Sequence, residues 1–203
     1  RQIYREAGLA YANIAEISDN PFIKASVYHG PVLVKPMPEP LSYLWSYTGI
    51  TGIYFPFLVE STVNSHVRPD ERLATVLHEV AHSYGFAREE EANFFSFYAG
   101  IHHPDMDFRY AAWLHAYIHV SNALYKEDKN LHHDLWESLP QGVQADLRAR
   151  NIYWDRFEGK VQEVSTQIND FYLKSNGQSS GVKSYGEVVD LILAYYKEES
   201  GFR

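Results

Sequence analysis

The chain has 203 residues, 45% hydrophobic and 15% aromatic, which is enough apolar material for one ordinary domain and too much for a disordered segment. Its formal charge of −8, with basic residues scattered along the chain, argues against a nucleic-acid partner, which needs clustered Lys and Arg. There is no Cys, so disulfides and thiolate metal sites are excluded, and any metal must be held by His and carboxylate.

In chain order, residues 1–19 read as a helix, because Ile3, Ala7, Ala10, Ile14 and Ile17 recur at helical spacing until Asn20-Pro21 stops the run. Residues 22–48, punctuated by Pro and Gly, read as loops with a short strand around 31–34. Residues 49–63 are rich in β-branched and aromatic side chains and read as one strand. Pro56 within it removes a ladder donor, so this strand should be an edge or bend there. From Pro69 onward the pattern is helical: about 70–84, 88–101, from Pro104-Asp105 to about 126, 131–138, 141–150, and 152–174 ending at Asn176-Gly177. After a turn-rich stretch over 176–183, Ser184 and Glu187 form a capping box for a last helix with Val188, Leu191, Ile192 and Tyr195 on its apolar face. No repeat or boundary interrupts the pattern. The expected fold over residues 1–203 is therefore one α+β domain, mainly helical, with a small sheet near its N-terminus. No apolar run approaches the roughly 20 residues that span a bilayer. The chain begins with Arg1 and not Met, as expected of a processed product or of a piece excised from a longer protein.

The chemistry concentrates in His78-Glu79-Val80-Ala81-His82. Positions i and i+4 of a helix lie about 40° apart around its axis, so both imidazoles point the same way and can ligate one metal ion. Glu79 between them is placed to act as general base on water at that ion. Leu73, Leu77, Val80 and Tyr84 form a core stripe beside the His face, so the helix is buried on one side and offers His on the adjacent side. A catalytic zinc site needs a third protein ligand. Gly85 suits a helix C-cap, after which Glu89, Glu90 and Glu91 open the next helix. Acidic residues favour a helix N-terminus in any case, which accounts for at least one of the three. Glu89 shares a stripe with Ala92, Ser96 and Ala99, small residues that let two helices approach closely, and is the preferred third ligand. A helix beginning two residues later would bring in Glu91 instead. Asn93, one turn beyond Glu89, is placed to hydrogen-bond a ligand His.

These segments resemble known families. His78 to His82 resembles the zincin motif, and Glu89-Glu90-Glu91-Ala92-Asn93 is similar to the Glu-x-x-Ala-Asp/Asn segment of gluzincins, which implies Glu89 as third zinc ligand. Only six residues separate His82 from Glu89, fewer than in most gluzincins. Gly85 also resembles the metzincin pattern, but the third His of that pattern would fall on Arg88. Over most of the chain there is a closer resemblance, carried by Gly52-Ile53-Tyr54-Phe55-Pro56-Phe57, by His78 to Phe94, and by Tyr172 to Gly177 with Ser184-Tyr185-Gly186. It points to an uncharacterised bacterial family with transmembrane helices ahead of an HExxH domain. That resemblance implies a soluble domain of a membrane-anchored protein on the extracytoplasmic face, with Zn²⁺ as cofactor and a peptide or protein as substrate.

Other residues are weaker candidates. His115 and His119 also lie at i, i+4 but have no Glu between them; they read mainly as packing residues, with His115 a possible transition-state donor. His102-His103 and His132-His133 sit at helix ends, where such residues are ordinary. Tyr185 is a second possible donor. The strand with Tyr54, Phe55 and Phe57, just ahead of the His helix, is placed to border the cleft and pair with extended substrate. The sequence thus leads to zinc-dependent peptide hydrolysis with Glu79 as base. The rival is a zinc-containing sensor or binding domain that cleaves nothing.

Overall fold

The computed structural model describes residues 6–11, 33–58, 60–175, 177 and 184–200. Residues 6–11 are helical; the remainder of the helix expected over 1–19 lies outside the described residues, as does nearly all of the 176–183 stretch. The ordered elements are β1 (Leu33–Pro36), α1 (Glu39–Ser46), β2 (Gly52–Phe55), β3 (Glu60–Val63), α2 (Pro69–Ser83) and α3 (Glu89–Ile101). They continue as α4 (Met106–Glu127), α5 (Lys129–Ser138), α6 (Gln141–Asp155), α7 (Lys160–Ser175) and α8 (Ser184–Ser200). The architecture is α+β and mainly helical, with one small mixed sheet.

The expected strand over 49–63 is in fact a hairpin. The chain turns at residues 56–58, and β2 pairs antiparallel with β3, Gly52 opposite Val63 and Phe55 opposite Glu60. Pro56 is the reason: with no N–H to give a ladder, it sits in the turn. β1 pairs parallel with β3, so the order is β1-β3-β2 and β2 is an edge strand. Helix α1 lies where the prolines predict loop. Pro38 caps it and Pro40 stands in its first turn, where a missing N–H costs nothing. The helices expected over 141–150 and 152–174 divide later, at 156–159, because Tyr153, Trp154 and Phe157 pack together on Val67 and carry α6 on to Asp155.

The core is built on α2. Val76, Leu77, Val80 and Ala81 are fully buried against Val63 of the sheet and Ala92 and Ala99 of α3, with Phe108 and Ala111 of α4 completing the cluster. Tyr11 donates to the Leu77 carbonyl at 2.8 Å and stacks on Tyr84, fixing segment 6–11 to this helix. Ser61 of β3 and Ser83 of α2 both donate to the Glu79 carbonyl, at 3.2 and 3.1 Å, and tie the sheet to the same helix.

Helix α2 ends in a reversal that only glycine makes without strain. Gly85 has φ +97°, its N–H donates to the His82 carbonyl at 3.0 Å, and the Phe86 N–H donates to the Ala81 carbonyl at 3.2 Å. Phe86 then stacks on Phe95 of α3 with ring centroids 3.8 Å apart. Space around Gly85 is open, so Gly85→Ala should cost only the backbone strain, about 1–2 kcal/mol. The check is a lower urea midpoint at unchanged denaturant slope; an unchanged midpoint would contradict this account of the turn.

Candidate metal centre

His78 and His82 project from one face of α2, and Glu89 is the first residue of α3 after the Gly85 reversal. Their ligand atoms lie together: His78 Nε2 to His82 Nε2 3.0 Å, His78 Nε2 to Glu89 Oε2 3.2 Å, His82 Nε2 to Glu89 Oε2 3.7 Å. Ligands about 2.0–2.2 Å from a tetrahedrally bound ion are about 3.3–3.6 Å from one another, so the spacing fits such an ion. Among the described residues this is the one group of three or more His and carboxylate side chains close enough to hold a metal.

The hydrogen bonding supports the donor set. His82 Nδ1 lies 2.7 Å from the Phe86 carbonyl, an acceptor only, so Nδ1 carries a proton and donates it. In the neutral ring, Nε2 then presents a lone pair toward His78 and the Glu89 carboxylate. His78 Nδ1 is buried with no hydrogen-bond partner, and so is Asn93 Nδ2. Burial pushes the His78 pKa down, but the hydrogen bond and charge of Glu89 outweigh it, with smaller help from Glu79 and Asn93, and the net shift is upward. At Glu89 burial works to raise the pKa, yet hydrogen bonds to both imidazoles, and their charges, hold it well below the usual carboxylate range.

Glu79 differs from Glu89. It is 3% exposed, its Oε2 has no hydrogen-bond partner, and burial pushes its carboxyl up to about 7 against the opposing charges of His78 and His82. Glu90, buried in its turn, pairs with Arg88. Neither Glu90 nor Glu91 belongs to the cluster. The stripe expected to bring α3 against α2 is present: Ala92, Ser96 and Ala99 are buried, and Ser96 Oγ donates to the Ala74 carbonyl at 3.2 Å.

Tyr54 on β2 stacks on the His82 ring, 6.2 Å between centroids and 16° between planes. This places the edge strand beside the cluster, with Phe55 half exposed and Phe57 94% exposed in the turn beyond. His115 on α4 lines a small cleft with Ala74, Glu71 and Arg150; it packs on His119 and lies near enough to His78 to feel its charge. Burial, then His119, His78 and Arg150, lower its pKa; it is not part of the His78–His82–Glu89 cluster. His102 packs on Tyr98, His103 is buried against Phe108, and His132 packs on Tyr125. Tyr185 belongs to the first turn of α8, and its side chain lies outside the described residues. Sequence reasoning missed two contributors. One is the Phe86 carbonyl, which no residue-type signal reveals; the other is Gly52, which lies directly over Glu79.

Fold and site together define the class: an α+β chain in which two His one helical turn apart and a Glu from the following helix form a group able to hold a metal ion. The chain belongs to the family described as a protein of unknown function, DUF3810, whose model matches residues 1–193. No curated protein and no solved structure gives a match. Among the described residues no helix is long and apolar enough to cross a membrane.

The raised Glu79 pKa has a consequence for the metal-free protein. Between the unfolded value, 4.5, and the folded one, about 7, the folded carboxyl keeps its proton while the unfolded one has released it. The unfolded state then binds fewer protons, so this group's contribution to stability falls as pH rises through that window. With metal removed by chelation, Glu79→Gln should stabilise the fold at pH 8, on the order of 2–3 kcal/mol, and change it little at pH 4. Urea unfolding at the two pH values checks this, and an equal effect at both would refute it.

Proposed function

We propose that the protein is a zinc-dependent peptidase, with His78, His82 and Glu89 as metal ligands and Glu79 as the proton-transferring group. The observation that carries the reading is the convergence of His78 Nε2, His82 Nε2 and Glu89 Oε2 within 4.8 Å of one another, beside a buried carboxylate outside the ligand set. A zinc ion held by these residues supplies Lewis-acid chemistry, acidifying water and polarising a carbonyl.

The protein's own groups do the rest. The Phe86 carbonyl holds the His82 imidazole from behind. Glu89 adds the negative charge that favours a cation there. Glu79, buried beside the three ligands and not one of them, takes a proton from water at Oε2 and returns it to the departing amine. Extended peptide or protein is the substrate class this reading favours, because β2 offers a sheet edge next to the cluster.

Purified protein should contain about one zinc per chain by atomic emission, and His78→Ala or His82→Ala should lose it. Glu79→Gln should retain zinc and lower hydrolysis of a mixed peptide library by at least about a hundredfold. Full zinc occupancy in the His78→Ala, His82→Ala double variant would remove the metal site. Zinc retained with no hydrolysis by the wild-type protein would leave a sensor or binding domain as the function.

A further inference from the structure

We propose that Gly52 is a positioning residue for Glu79, setting where the carboxylate lies relative to the sheet edge; its catalytic consequence rests on the role given to Glu79 above. Gly52 opens β2 opposite Val63. One step earlier, the Asn64 N–H donates to the Thr51 carbonyl at 2.8 Å, which makes 51 and 64 a hydrogen-bonded pair. Such pairs alternate along an antiparallel ladder, so Gly52 and Tyr54 turn their main-chain N–H and C=O away from β3, toward the outer edge. Both residues also share the face of β2 that lies on α2. There Tyr54 covers His82, and Gly52 covers Glu79.

Nothing about the backbone asks for glycine here. The left-handed glycines are Gly49, Gly85, Gly159 and Gly177 among the described residues, and glycine within a strand is otherwise unfavourable. The demand is for space. A β-carbon at Gly52 would lie 2.4 Å from Glu79 Oε1, 2.8 Å from Glu79 Cγ and 2.7 Å from Thr75 Cγ2. Thr75 is held, since its Oγ1 donates to the Glu71 carbonyl at 2.9 Å. Glu79 has no such tether at Oε2. A methyl group would therefore displace the Glu79 carboxylate, which is not one of the three side chains of the His78–His82–Glu89 group. Glycine lets the strand that offers main-chain groups outward lie directly against the carboxylate that moves the proton.

The test is a double-variant cycle in a Thr75→Ser background, which removes the competing Cγ2 and keeps the hydroxyl. There, Gly52→Ala should lower Tm by about 4 °C or more when Glu79 is present and by no more than about 1 °C when Glu79 is replaced by Ala. Zinc content should stay at its wild-type level. In active protein, Gly52→Ala should lower kcat at least about tenfold with little change in KM, and cause no further loss once Glu79 is Gln. Equal Tm losses with and without Glu79 would overturn the proposal, and so would an unchanged kcat in an active enzyme. If the wild-type protein hydrolyses nothing, the Tm cycle still decides the Gly52–Glu79 contact, and the failure belongs to the peptidase reading alone.

Discussion

The site depends on how closely α3 can come to α2. A carboxylate side chain is short, and Glu89 reaches the imidazoles only because the facing residues on its own helix are small and buried: Ala92, Ser96 and Ala99. The approach is held at both ends of the contact. At one end the Gly85 reversal and the Phe86–Phe95 stack fix where α3 begins. Along the contact Ser96 donates to the Ala74 carbonyl, and Gly100 packs so near Ala112 and Leu77 that a larger residue there would force the helices apart. The same turn that starts α3 also presents the Phe86 carbonyl to His82 Nδ1, so one reversal of the chain both delivers the carboxylate and sets the direction of an imidazole lone pair.

Within this frame two carboxylates ten residues apart in the chain have opposite electrostatics. Glu89 sits among hydrogen bonds and the charges of two imidazoles, which favour its ionised form. Glu79 is buried, has an oxygen with no partner, and resists ionisation until near neutral pH. Environments that push two acids apart in this way separate their roles, one suited to holding a cation and the other to exchanging a proton. The sheet contributes to the second environment, because β3 is tied to the Glu79 carbonyl through Ser61 and β2 closes over its side chain at Gly52.

Much of this was legible in the sequence. The i, i+4 spacing of His78 and His82 fixes their common direction on any regular helix, and the stripe of Ala92, Ser96 and Ala99 favours Glu89 because small side chains let two helices approach, with Glu91 left open by helix phase so near a start. The helical class of the C-terminal two thirds followed from periodicity. What was not legible had physical causes. Proline marks both loops and first helical turns, so α1 passed for a loop. A single apolar, β-branched stretch does not say whether it runs straight or folds back, and Pro56 gave the bend without giving the hairpin. A backbone carbonyl such as that of Phe86 has no residue signature at all. The closeness of Gly52 to Glu79 depends on how β2 packs on α2, which local sequence does not encode.

The measurement that bears most directly on the metal centre is crystallography of the zinc-loaded protein with data collected on both sides of the zinc absorption edge. The account predicts one strong anomalous peak per chain, bonded at about 2.0–2.2 Å to His78 Nε2, His82 Nε2 and a Glu89 carboxylate oxygen, with Glu79 outside bonding distance. No peak at that position, or a peak whose ligands do not include both His78 and His82, would contradict it.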